Sequence, residues 1–274
     1  MVRAFAESEI NTVSVVKFPQ PARPIAPRPP QGREVEAHSP APVSSDARLS
    51  LRAVTWLEIV SVLGSVLLSV WALVPLYPQS RWPVLLPAAL ALWLVVNSQR
   101  QRGESWHDVG FRAEGFGYAF KLLALPMLLA IAVMSLISWK LNSFQRTSQF
   151  ALNLFVAPLW GIVQQYITQG FLYRRVRSLI VQPQTSPLEQ RTQVRKAIWV
   201  SASCFAFVHL PNPTLTLLTL VAGLLWSWVY ERAPNLWALG LSHGILSAVL
   251  MHSMPAWFLQ SMSIGYKHFL YQKF

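Results

Sequence analysis

Downstream of residue 52 the chain alternates long apolar runs with short polar connections. The runs cover residues 54–74, 82–96, 116–139, 150–173, 197–209, 214–230 and 236–251. At 1.5 Å of rise per residue the first is long enough to cross the hydrocarbon core of a bilayer. The second is short and interrupted by Pro83 and Pro87, so it spans only with flanking residues or a kink; the third contains Pro126. A last stretch, 256–266, is too short for a full span and reads as half a span or an interfacial helix. Trp56, Trp71, Trp82, Trp139, Trp199, Trp228 and Trp237 fall near run ends, where an aromatic belt places them. The pattern predicts an all-α fold, a multi-pass transmembrane helical bundle of about 7–8 spans.

Residues 1–52 break this pattern. Pro19, Pro21, Pro24, Pro27, Pro29, Pro30, Pro40 and Pro42 crowd a stretch without helical period, which buries too little surface to repay its ordering entropy. It reads as a disordered, proline-rich cytoplasmic tail, and residues 53–274 as the polytopic membrane domain. Overlapping P-x-x-P spacing within 21–30 fits an SH3-like groove, but a plain tether explains it as well. Residues 1–50 contain no continuous apolar h-region, so no cleavable signal peptide is expected.

Composition agrees with a membrane protein: 53% hydrophobic residues against 12% charged, with a mean hydropathy of +0.36. A formal charge of +12 in a soluble chain would suggest nucleic acid. Here the basic residues sit in the tail and in alternate connections, so no nucleic-acid partner is expected. Arg100, Arg102 and Arg112 follow the second run, and Arg174, Arg175, Arg177, Arg191, Arg195 and Lys196 follow the fourth. The positive-inside rule then places the N-terminus in the cytoplasm. Cys204 is the single cysteine, which excludes an internal disulfide and a cysteine-based zinc site.

Chemistry concentrates in three runs. Gly161 to Arg175 reads G-I-V-Q-Q-Y-I-T-Q-G-F-L-Y-R-R, and three amides within hydrocarbon point to a buried polar site. At α-helical spacing Gln165 and Gln169 share a face, while Gln164 and Thr168 share the adjoining one. His209 ends the fifth run, and His243 lies midway along the last, with Ser247 on its face. Gln165, His209 and His243 lie at similar depths, roughly 10–20 Å from the basic loops, so a shared cavity is expected.

These residues carry a resemblance to a family. Gln164-Gln165-Tyr-Ile-Thr-Gln169, Phe205-Ala-Phe-Val-His209 and His243-Gly-Ile-Leu-Ser247, with flanks G-F-L-Y-R-R, H-L-P-N and G-L-L-W-S-W-V-Y-E-R-A-P-N-L-W-A, stand in the family's order. Over about 150–251 the chain resembles the CAAX-processing and bacteriocin-processing (CPBP) intramembrane proteases, also called the abortive-infection family. That family shows E-E-x-x-x-R, F-x-x-x-H and H-x-x-x-N in turn. The resemblance implies a motif-one glutamate and the motif-two histidine activating water, with the motif-three residues stabilising the oxyanion. It also implies a prenylated, peptide or membrane-protein substrate or partner, and a cell membrane, most naturally a bacterial inner membrane.

The departures fall on the chemistry. Gln164 and Gln165 replace the glutamates, Gln169 the arginine and Ser247 the asparagine; Phe205, His209 and His243 match. An amide has no accessible basic lone pair, and losing a general base typically costs about 10²–10⁴ in rate. Two histidines with neutral amides leave a zinc or iron site short of ligands, so no metal or other cofactor is expected. After Glu114 the acids are Glu189 and Glu231, both assigned to loops, and Glu58 lies near the end of its run. A Cys204–His209 pair would sit roughly 140° apart around a helix, so Cys204 reads as a packing residue. Three functions stay open. The chain is a catalytically impaired relative binding or scaffolding through the old cleft, an active endopeptidase using His209 and His243 with an unidentified base, or an enzyme or binder for an isoprenoid-type lipid.

Overall fold

The computed structural model describes residues 45–145 and 148–271. The disorder expected for 1–52, with its P-x-x-P prolines, falls up to residue 44 outside the described residues; from Ser45 the chain is helical. Helix α1 (Ser45–Leu68) runs through a π-helical turn, Ser69–Leu73, into α2 (Val74–Leu76). Then come α3 (Trp82–Gln101), α4 (Phe116–Leu141) and α5 (Ser148–Gln165). A π-helical segment, Tyr166–Tyr173, carries α5 into α6 (Arg174–Ile180). The chain continues with α7 (Pro187–Phe207), α8 (Pro213–Arg232), α9 (Leu236–Ser253), α10 (Ala256–Leu259), a 3₁₀ turn (Gln260–Met262) and α11 (Tyr266–Tyr271). Among the described residues there is no strand.

The molecule is inside-out relative to a water-soluble fold. Leu125, Leu128 and Phe155 expose 65%, 64% and 79% of their surface, as side chains facing lipid do. Six stretches are long and apolar enough to cross a membrane: Ser50–Leu76, Trp82–Gln101, Phe116–Leu141, Gln149–Ile180, Pro213–Arg232 and Leu236–Ser253. The protein is a multi-pass helical membrane bundle. The difference from seven or eight spans has two sources. The 197–209 run is the apolar half of α7, whose first half carries Glu189, Arg191, Arg195 and Lys196. Residues 256–266 are divided among α10, the 3₁₀ turn, coil and the first residue of α11.

Local rules account for the elements. Helix α7 starts where Ser186 and Glu189 close a reciprocal capping box with proline at the first position. Pro87 lies within α3, so it cannot donate to the carbonyl of Pro83 four residues earlier. Ser69 Oγ donates to that oxygen at 2.5 Å, which ties the π turn after α1 to α3.

Two fully buried asparagines cap and tie at once. Asn212 Oδ1 accepts from Leu215 N at the start of α8, and its Nδ2 donates to Leu259 O and Ser263 O. Asn235 caps α9 through Ala238 N and donates to Arg112 O and Glu114 O. The flanking H-L-P-N and A-P-N stretches are therefore architecture.

Helices α5 and α9 meet at the backbone. A Cβ on Gly161 would stand 2.4 Å from Gly240 O, and one on Gly244 2.2 Å from Pro158 N. The stretch Gly240-Leu-Ser-His243-Gly244 is thus a small-x-x-x-small contact with His243 inside it. This approach sets the site.

Candidate functional site in the helix bundle

At the α5–α9 contact Gln165 Nε2 donates to His243 Nδ1 at 3.1 Å. An amide nitrogen can only donate, so the imidazole accepts at Nδ1 and carries its proton on Nε2. Both residues are buried, Gln165 completely. Trp226 of α8 stacks on the imidazole with centroids 4.3 Å apart and planes 16° from parallel. Its indole N–H donates to Ser242 Oγ at 3.0 Å, and that hydroxyl donates to Leu239 O. Phe205 approaches the same imidazole edge-on at 6.2 Å and the ring of His209 at 4.9 Å. Gln165, His243, Phe205 and His209 therefore form one connected cluster.

His209 lies in the turn just after α7, with its Nδ1–H donating to Phe205 O at 2.8 Å. Its Nε2 lone pair is the basic atom that remains. His209 and Gln164 both line a cavity of about 530 Å³, walled by α1, α3, α5, the π segment and the end of α7. The lining is apolar (Val62, Val66, Ala88, Trp160, Ile167 and Phe171 among it) except for Ser69, Gln164, Thr168 and His209. Thr168 Oγ1 donates to Gln164 O at 2.8 Å, and the Ser69 hydroxyl is held by Pro83 O. The Gln164 amide and the His209 imidazole are the groups left to meet a ligand.

The other motif positions lie elsewhere. The π segment begins just after Gln165 and closes its turns on the fifth residue rather than the fourth. Gln169 is thus not simply stacked over Gln165, as α-helical spacing predicts; both are buried with their Oε1 atoms unpartnered. Ser247 is half-buried one turn beyond His243 and is not part of the cavity wall. Cys204 is half-buried and packs against the apolar core.

Glu58, Glu104 and Glu231 are committed to arginines. Glu58 accepts from Arg102 at 2.6 Å and lies 3.4 Å from the buried Arg175. Glu104 bonds Arg174 at 2.6 Å and Arg175 at 2.7 Å. Burial raises the pKa of the Glu104 carboxyl, but its bonds to Arg175 and Arg174 outweigh this and hold it below the usual glutamate value. Glu231, in the last turn of α8 rather than a loop, bonds Arg177 at 2.9 Å and accepts from Tyr173 Oη at 2.5 Å. Glu189 lies in the first turn of α7, again not in a loop. No acid is part of the cavity wall. Among the described residues no three His, Cys, Asp or Glu side chains come together as a metal cage requires.

Sequence reasoning missed two parts of this arrangement. Trp226 lies in the stretch leading to the third motif, but nothing in its spacing assigns it to His243. A second amide–imidazole pair also joins α5 and α9: Asn153 Nδ2 donates to His252 Nε2 at 3.0 Å. The signal was an asparagine in one apolar run and a histidine at the end of the other.

Residues 144–249 match the model of the family described as type II CAAX prenyl endopeptidase Rce1-like. That segment contains α5, the π segment, α6, α7, α8 and most of α9, and hence every residue of the cluster. No curated protein and no solved structure matches the chain. Over this core the chain is similar to the CAAX-protease-like membrane proteins.

Proposed function

We propose that the protein is a non-hydrolysing member of its family that holds the apolar part of a prenylated or membrane-embedded partner in the cavity beside Gln164 and His209. The wall of that cavity carries the reading: its polar side chains are two hydroxyls already bonded to carbonyls, one amide and one imidazole. Peptide hydrolysis through the family's water-activating pair needs a carboxylate at motif one. Here amides stand at both positions, and one of them is bonded to His243. The amide and the imidazole Nε2 suit a ligand's polar end, while the remaining wall suits an isoprenoid or other hydrocarbon tail. The arginines that engage Glu58, Glu104 and Glu231 support a cytoplasmic N-terminus under the positive-inside rule.

The test uses the full chain in phosphatidylcholine nanodiscs with a fluorescent farnesylated peptide ending in a C-a-a-X sequence. The expected result is saturable binding, an intact peptide by mass spectrometry, and affinity at least tenfold weaker in Ala88→Trp, which fills the cavity. Cleavage that disappears in both His209→Ala and His243→Ala would overturn the non-hydrolysing reading. Absence of binding would overturn the ligand assignment.

A further inference from the structure

The hairpin of α7 and α8 carries a second recess, away from the motif cavity and sharing no residue with it. It is a groove of about 300 Å³ lined by Arg195, Ile198, Trp199, Leu224, Leu225 and Trp228. Arg195 and Trp199 are one turn apart on α7, and Leu224 and Trp228 one turn apart on α8. Arg232 lies one turn beyond Trp228, with its guanidinium 3.9 Å from the centre of that indole and Nη1 donating to Trp228 O.

The two helices are antiparallel neighbours joined by residues 208–212. Arg195 and Arg232 therefore stand toward the same end, away from the turn, while Leu224 and Leu225 lie deeper. Neither arginine has a carboxylate partner among the described residues. The neighbouring Glu231 is bonded to Arg177 and Tyr173, and Glu189 closes its own capping box. Both arginines, both tryptophans, Arg191 and Lys196 are exposed.

We propose that this groove binds one anionic glycerophospholipid, its phosphate between Arg195 and Arg232 and one acyl chain along Trp199 and Trp228 toward Leu224 and Leu225. Two unneutralised cations at the mouth of an apolar, aromatic slot match a ligand with an anionic head and a hydrocarbon tail. The Arg232 guanidinium, held 3.9 Å over the indole, spends one N–H on Trp228 O, and arginine suits phosphate through paired donors.

Native mass spectrometry of the detergent-released full chain, loaded with phosphatidylglycerol or phosphatidylcholine of equal chain length, tests the proposal. The wild-type protein is expected to retain phosphatidylglycerol in preference. The preference should fall about twenty-fivefold in the Arg195→Gln/Arg232→Gln double variant, at roughly fivefold per arginine near an anionic surface. Arg81→Gln, outside the groove, should leave the preference unchanged. Trp199→Ala should weaken retention of both lipids. Equal retention of the two lipids by the wild type, or an equal loss in Arg81→Gln, would overturn the assignment. Displacement of phosphatidylglycerol by millimolar inorganic phosphate would mark a free-anion site and overturn it as well. Both arginines are exposed, so unchanged melting of the double variant in phosphatidylcholine separates lost binding from lost folding.

Discussion

Gly161→Ala should damage the site without touching any of its side chains. The new Cβ would lie 2.4 Å from Gly240 O and 2.9 Å from Gly244 N, both backbone atoms that no rotamer change can move. Bringing the nearer contact to the ordinary 3.4 Å requires α5 and α9 to separate by about 1 Å, the difference between those values. Gln165 is one turn further along α5, and its 3.1 Å bond to His243 does not survive such a displacement. Overpacking costs about 1–3 kcal/mol, and leaving a buried donor and acceptor unpaired costs about 1–3 kcal/mol more. Alanine recovers about 1 kcal/mol of helix propensity over glycine. The net is about 3 kcal/mol of destabilisation, or a melting point lower by roughly 6–12 °C. Gly64→Ala is the control, because nothing lies within 4 Å of its added carbon; it should be neutral or raise stability by up to about 1 kcal/mol. Thermal denaturation of both variants in one detergent decides the matter. If Gly161→Ala melts within a degree of Gly64→Ala, the backbone contact does not set the helix spacing and the account of the site is wrong.

Glu104→Gln removes the main partner of the buried Arg175 and should destabilise by about 3–5 kcal/mol, read by chemical denaturation. Because the Glu104 carboxyl titrates below its unfolded value, its contribution is present above that value and lost as pH falls through the folded one. Wild-type melting should therefore drop steeply in the acid range, with a shallower drop in Glu104→Gln. Asn212→Ala removes a helix cap and two bonds to the C-terminal segment, costing about 2–4 kcal/mol. Limited proteolysis should then open residues 256–265, and a protected segment would contradict the tie. Gln165→Glu places a buried carboxylate beside His243, and Gln169→Arg buries a cation. The double change should melt higher than either single change, whereas losses that simply add in the double variant would show that the two positions do not interact.

Much of this was legible in the amino-acid pattern, because lipid as solvent makes hydropathy the dominant signal. The runs became helices, and amide and imidazole side chains too costly to leave alone in hydrocarbon met across α5 and α9. What stayed hidden has physical reasons. Residues 187–196 are polar enough to resemble a loop, although Ser186-Pro-Leu-Glu189 is a helix start by its capping chemistry. Pro87 suggested a break in α3, but Ser69, far away in sequence, satisfies the freed carbonyl. Glu58 is the one acid that the sequence places within an apolar run. Only its neighbours across the bundle, Arg102 and Arg175, show it committed to an ion pair. The stacking of Trp226 on His243 depends on how α8 and α9 are rotated, which no local spacing encodes.

The π segment between Gln165 and Arg174 works as a phase corrector on one continuous rod. Upstream, the rod must present Gln165 to His243; downstream, it must present Arg174 and Arg175 to Glu104. A π bulge lets a helix carry an extra residue without breaking, so removing one residue from 166–173 would turn everything beyond it by about 100°, one α-helical step. The rod could then keep the imidazole contact or the carboxylate contacts, but not both. The amide cluster and the arginine cluster are in this sense two gears on one shaft, and their relative timing is encoded in a residue count rather than in any single side chain.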